Sequence, residues 1–396
     1  MDKAKVIRDP VHKDIFLSEL EMRLVDTPEF QRLRRIKQLG VTNLVYPSAN
    51  HTRFEHSIGA AHIAGRIIGR FDVGDAGEAL RAAALLHDIG HGPLSHTSEE
   101  LLKRHLDRSH EDATLSVIRE SGIRDILSEY SVDPDVVLAI LSKEHMLSGL
   151  ISGEVDVDRM DYLARDAYHT GVAYGVIDMD RLVNTVELVD GDIVISQGGL
   201  RAVEGLLVAR FLMTPTVYLH HTSRIADAMF LRATERAVEE GLLRLEDLMR
   251  MDDFDIQAMF RAAGGYVRHM GRRLEDRRLF KTAWFADETC GDEGLRESFY
   301  ALMEDLGRWA RLEVELAEDC GLEEGFVIVD ITPRSRYEES NALIWDGEAA
   351  RPVSMVSPIV RILQDTEASK WSVGVYAPQE HLERVRGICG NIKGYL

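Results

Sequence analysis

The chain reads as a mainly α-helical protein, a helical core with a short β-hairpin set into it and a small C-terminal α+β subdomain. Three observations predict this. Apolar residues recur at helical spacing from about residue 20 to 180, the period switches to alternation around one Asp-Gly turn at 185–196, and β-branched apolar runs gather only after Glu324. A chain of 396 residues can bury a large core. We place the helical core at 1–322 and the α+β piece at 323–396, where those runs begin.

Taken in order, Thr27 and Pro28 supply an N-cap and a first-turn proline, predicting a helix start. At about 100° per residue, Phe30, Leu33 and Ile36 then share one side, with Gln31, Arg34, Arg35 and Gln38 opposite. Solvation explains that polar face as well as binding does. A second helix runs from about 56 to 70 and a third from about 78 to 87, stopped by Gly90, Gly92 and Pro93. Ser109 followed by Asp112 marks a further start. The hairpin turns at Asp190-Gly191, and helices resume from 199 to about 316. Apolar runs at 326–332, 356–363 and 371–376, closed by a helix near 379–389, complete the tail.

Composition narrows the function. A net charge of −20 disfavours a nonspecific nucleic-acid binder, which needs a basic surface, although locally gathered arginines would still accept an anionic substrate. No window is long and apolar enough for a bilayer, and the N-terminus lacks the apolar core of a signal peptide, so a cytoplasmic location and no membrane partner are expected. Cys290, Cys320 and Cys389 lie far apart without a Cys-x-x-Cys pair, as plain reduced thiols would.

The chemistry concentrates in Leu85-Leu86-His87-Asp88-Ile89-Gly90-His91-Gly92-Pro93-Leu94-Ser95-His96. Adjacent imidazole and carboxylate build a poor core but a good divalent-metal site, since neutral His nitrogen and Asp oxygen suit Zn, Mn, Fe or Ni. Two other places offer similar groups: Arg53-Phe54-Glu55-His56, which opens a helix, and the carboxylate-rich stretch 156–166. On a helical wheel Asp158, Tyr162, Arg165, Asp166 and His169 share one face, with Met160, Leu163, Ala164 and Ala167 opposite. A polar face of that composition, without Lys or Glu, predicts a cleft rather than open solvent.

The order His56, His87-Asp88, Asp158 resembles the signature of the HD-domain metal-dependent phosphohydrolases. The segments 26–34, 36–40, 53–56, 87–96 and 156–166 are similar to the branch containing the deoxynucleoside triphosphate (dNTP) triphosphohydrolases, and the resemblance covers nearly the whole chain. It implies His56, His87, Asp88 and Asp158 as ligands of a divalent ion, with Mg, Mn, Fe, Zn and Ni undistinguished. It implies His91, His96 and His110 as active-site histidines and Glu99 as a carboxylate that orients one of them, where relatives often carry Asp. Arg53, Arg159 and Arg210 would meet phosphate, Gln38, Leu39, Tyr162 and Asp166 would surround the sugar, and Tyr218 would also bind substrate. Asp26, Gln31, Arg34 and Arg181 match residues of a regulatory guanine-nucleotide site between subunits, which implies GTP or dNTP as regulator and a homodimer or homotetramer.

The expected activity is therefore hydrolysis of a dNTP to deoxynucleoside and inorganic triphosphate. Two alternatives stand beside it: an HD-family phosphohydrolase acting on another nucleotide or phosphoester, and a non-catalytic nucleotide sensor.

Overall fold

In the computed structural model, which describes residues 5–70, 73–74, 76–332 and 342–396, helices form where the helical period is strongest. The Thr27 hydroxyl accepts from Phe30 N at 3.3 Å, Pro28 opens the helix Pro28–Arg32, and Phe30, Leu33 and Ile36 are fully buried. The second and third helices are Arg53–Ile68 and Ala76–Leu86. His110–Glu120 begins with a reciprocal capping box between Ser109 and Asp112, which satisfies two backbone donors at once. No single helix among the described residues is long and apolar enough to cross a membrane.

The chain divides into two compact units, neither of them one continuous stretch. The first comprises 1–219, 244–258 and 338–363. Its core joins Leu33, Ile36, Ile63, Leu85 and Leu163. The hairpin pairs Val186–Val189 with Asp192–Ser196, and Asp190 (φ 52°) and Gly191 (φ 94°) both take the positive φ of a tight hairpin turn. Its second strand continues the sheet in parallel to Leu343–Trp345, which pairs with Ala350–Pro352. Pro215 ends the helix Leu200–Met213, and the chain leaves it through a wider π turn, Thr214–Tyr218.

The second unit comprises 220–243, 259–337 and 364–396, so the expected division at 322/323 falls inside it. Its antiparallel sheet has the order Lys281–Asp287, Ser372–Ala377, Ile328–Ile331 and packs on Phe299, Trp309, Leu316 and Val385.

Three parts of the sequence reading need correction. The stretch 199–316 is not helical throughout, because Lys281–Asp287 is an edge strand. The run at 356–363 is helical within Pro358–Ser369: Val360 N donates to Ser357 Oγ and Pro358 sits in the first turn, a start signal that outweighs β-branched composition. Ahead of the first expected helix, Lys5–Asp9 and Lys13–Leu17 form another hairpin, with the turn at 10–12 and a positive φ of 69° at Lys13, where the second strand begins.

Candidate metal centre

His56 lies on the buried side of the helix Arg53–Ile68 and has no exposed surface. Its Nδ1 is 2.8 Å from Asp161 Oδ2, so that nitrogen carries the proton and donates it. His87, at the end of the helix Ala76–Leu86, donates Nδ1–H to the Ala84 carbonyl at 2.8 Å. Both rings therefore turn Nε2, the nitrogen left for an ion, toward one point, where the two atoms lie 3.2 Å apart. Asp158 Oδ1 is 3.0 Å from His56 Nε2 and 3.8 Å from His87 Nε2, and Asp88 carboxylate oxygens lie 3.5 Å from each ring.

Two facing lone pairs at 3.2 Å repel, and a proton or a metal ion between them relieves that repulsion. His56, His87 and Asp88 meet the distances for holding an ion, and Asp158 Oδ1 lies beside them. Electrostatics agree. Burial opposes charge on His56, but its bonds to Asp158 and Asp161 and the field of Asp88 overcome that and raise its pKa to about 10. A pocket that stabilises a proton this strongly favours positive charge. Asp158 is only half-buried, which leaves the open side of the centre there.

The turn after Asp88 is held from several directions. Arg53 donates Nη1–H to Asp88 Oδ2 (2.6 Å) and Nε–H to Ser95 Oγ (2.8 Å), and Ser95 Oγ donates to the Lys37 carbonyl (2.8 Å). Leu94 (φ 54°) and Ser95 (φ 55°) both sit in left-handed backbone, a conformation that costs free energy and persists only where its surroundings enforce it. Leu94 N–H donates to Asp253 at 2.7 Å, and Arg32 donates to the carbonyls of Ile89 and His91 (2.7 and 2.8 Å). Gly90 is required here, since a Cβ would lie 2.2 Å from Thr114 N.

Beside the metal ligands stand the three other histidines. His91 is buried, 3.3 Å from Asp88 Oδ1, and its ring stacks on His110 with centroids 4.0 Å apart. Neither ring nitrogen of His91 has a hydrogen-bond partner among the described residues. Burial, then Arg53 and His110, push its pKa well down, so His91 is neutral near pH 7. Glu99 reaches two histidines at once, accepting Nδ1–H of His110 at 2.8 Å and of His96 at 3.1 Å. These bonds outweigh the cost of its burial and hold its carboxyl well below the usual range. His110 is half-buried and His96 exposed.

The remaining expected residues divide. Asp166 is buried between His51 Nε2 (2.8 Å) and the Tyr218 hydroxyl (2.9 Å), and the Tyr162 and Tyr218 rings meet edge to face. Gln38 is buried with Oε1 lacking a partner among the described residues, and Leu39 is half-buried next to it. Arg159 bonds Asp156 and the Gly153 carbonyl, and both Arg159 and Arg210 act electrostatically on Asp156 and Tyr162. Of the regulatory set, Gln31 and Arg34 come together at 2.9 Å, with Arg34 over the Phe54 ring. Asp26 caps the end of the helix Glu19–Val25, while Arg181 is spent on the Gly198 carbonyl.

The sequence reading gave no role to Asp161, His12, Asp9, His51 or Arg32, and placed Arg165 only on the polar face of its helix. Asp161 and Arg165, four apart on one helix, carry the signal of a simple ion pair. His12 and His51 carry no local signal at all. The polar face of Val157–Thr170 does not meet open solvent: Arg165 and Asp166 are buried, as is Asp161.

Residues 53–166 match the HD domain and residues 177–392 the HD associated region. The chain is similar to an uncharacterized protein of Methanocaldococcus jannaschii, 37% identical over 96% of this chain and 81% of that protein. It is also similar to the deoxynucleoside triphosphate triphosphohydrolase SAMHD1 homolog of Dictyostelium discoideum, 31% identical over 62% of this chain and 51% of that protein. Among solved structures, a phosphohydrolase from Bacteroides thetaiotaomicron aligns with a TM-score of 0.75 at 26% identity, covering 95% of this chain and all of that one.

Proposed function

The chain belongs to the HD-domain family of metal-dependent phosphohydrolases, and from that premise we propose that it hydrolyses deoxynucleoside triphosphates to deoxynucleoside and inorganic triphosphate. One observation carries the reading: Arg53 and His91, the latter stacked on His110, both meet Asp88, whose carboxylate lies 3.5 Å from Nε2 of His56 and of His87. Attack on phosphorus needs that combination of an ion site, a fixed positive charge and an imidazole. The choice of a dNTP over other phosphoesters rests on similarity to proteins named for that activity.

His56, His87, Asp88 and Asp158 would hold the ion, which supplies Lewis acidity and acidifies water when bound. Arg53, Arg159 and Arg210 would offset the charge of the triphosphate. Water adds to the α-phosphorus while the bond to the 5′ oxygen breaks, and that oxygen needs a proton as it leaves. Glu99 holds His110 by Nδ1–H, so Nε2 is the nitrogen free to move it. His91, kept neutral, adds no competing charge at the stack. Gln38 Oε1 and the Asp166–Tyr218 pair offer acceptors for a sugar hydroxyl.

The test is incubation of pure protein with each dNTP and each of Mg, Mn, Fe, Zn and Ni, with and without GTP, resolving the products. Deoxynucleoside plus triphosphate is expected. Monophosphate plus pyrophosphate, or turnover confined to other phosphoesters, would assign a different substrate. Absence of turnover with every ion, together with nucleotide-dependent oligomerisation that survives Asp158→Ala, would make the chain a sensor.

A further inference from the structure

Asp161 is the most heavily engaged carboxylate near the centre. It is fully buried, and its oxygens accept from His56 Nδ1 (2.8 Å), Arg165 Nε (2.8 Å), Arg165 Nη2 (2.9 Å) and His12 Nε2 (2.6 Å). The His12 bond is the shortest of the four, and His12 does not belong to the helical core. It sits in the turn between the strands Lys5–Asp9 and Lys13–Leu17, outside the stretch that matches the HD domain.

That turn is built to hold His12 in place. Asp9 Oδ1 accepts the backbone N–H groups of Val11 and His12, each at 2.8 Å, while Asp9 Oδ2 accepts Arg165 Nη1–H at 2.8 Å. Arg165 thus ties the hairpin to Asp161 by a second route, and the His12 and Asp161 side chains have almost no contact with water. On the far side Gly59 makes the close approach possible, since a Cβ there would lie 1.9 Å from Asp161 Oδ1. Two carboxylates share one guanidinium, which leaves a net negative charge directed at the Nδ1 edge of His56. A carboxylate on the outer nitrogen of a ligating imidazole fixes the tautomer and strengthens the inner nitrogen as a donor.

We propose that the N-terminal hairpin is part of the metal centre, and that His12 is a positioning residue which, through Asp161, keeps His56 in the Nδ1–H tautomer with Nε2 aimed at the ion. The inference rests on the metal-binding reading of His56 and on no particular substrate. Without the His12 donor, Asp161 Oδ1 loses its shortest bond, Arg165 alone is left to hold the carboxylate against His56, and the hold on His56 slackens.

The experiment compares wild type, His12→Gln, His12→Met and Arg8→Ala in the full chain. Gln keeps an N–H donor, Met keeps bulk without one, and Arg8 serves as a hairpin control because its ion pair with Asp14 is exposed. Zn²⁺ affinity is measured by competition with a chelator, and the coordination sphere is read from the absorption bands of the Co²⁺-loaded protein. His12→Met is expected to bind Zn²⁺ about tenfold more weakly, the lower end of what second-layer groups contribute, with shifted Co²⁺ bands. His12→Gln should recover most of the loss, and Arg8→Ala should match wild type. Equal affinity and spectra in wild type and His12→Met, or equal losses in the Gln and Met variants, would overturn the role of His12. A wild type that binds neither ion would overturn the metal reading itself. Thermal unfolding identifies a variant that has lost its fold; if His12→Met has, His12→Leu takes its place in the same comparison.

Discussion

A histidine next to a carboxylate is ambiguous until each ring nitrogen is assigned. At His56 and His87 the assignment follows from hydrogen bonds on the outer nitrogens, to Asp161 and to the Ala84 carbonyl, and it leaves both inner nitrogens to face an ion. Asp158→Asn removes an anionic ligand from this set. Turnover should be lost and Zn²⁺ affinity should fall further than the about 10–100-fold typical of outer contacts, as read by chelator competition. At Glu99 the expectation is kinetic. A glutamine presents one oxygen and cannot accept Nδ1–H from both His96 and His110, so Glu99→Gln should lower kcat by about 100-fold with little change in KM. Unchanged kcat would remove Glu99 from the proton path. That His56, His87 and Asp88 gather was legible in the sequence because the motif places them in order, with Asp158 as the fourth candidate. Asp161 was not, because its pairing with Arg165 four residues on looks like an ordinary helix ion pair.

Helices earn their place here by how closely they approach. Arg53–Ile68 and Val157–Thr170 cross at Gly59, where Asp161 and Arg165 occupy the space a side chain would need. Gly59→Ala should therefore destabilise the protein by about 1–3 kcal/mol in urea unfolding and also weaken Zn²⁺ binding, which a remote packing defect of equal cost would leave alone. The same helix carries His62, whose pKa falls to about 4 through burial, then through His12, Arg66 and Arg81. Because the unfolded imidazole titrates near 6.5, the unfolded chain binds the extra proton first as pH drops. Stability tied to His62 is therefore complete above about pH 6.5 and declines down to about 4. His62→Gln should flatten that part of a Tm-against-pH curve; an unaltered slope would show that His62 does not contribute it. Caps made some elements readable in advance, as at Thr27 and Ser109. Short strands such as Lys5–Asp9 were not, since five residues without clean alternation hardly rise above chance even ahead of Asp9-Pro10.

Across the molecule, each unit carries its own buried ionic anchor. In the second, Arg232 donates to both oxygens of Glu313 at 2.7 and 2.8 Å, and Glu313 also accepts from Val329 N at 2.8 Å. Glu313→Ala leaves the buried guanidinium only Glu235 and should cost about 1–3 kcal/mol, measured by denaturant unfolding. A loss below about 1 kcal/mol would mean that water reaches Arg232. The order of elements, the hairpin at Asp190-Gly191 and the ligand types all follow from neighbours along the chain, because caps, turns and helical faces are short-range patterns. The tautomer of His56, the saturation of Asp166 and the neutrality of His91 do not. His12 is 149 residues from Asp161 and His51 is 115 from Asp166, so no local pattern announces either bond. Proton positions and charge states depend on what surrounds a group in three dimensions, and those surroundings exist only once distant segments have packed.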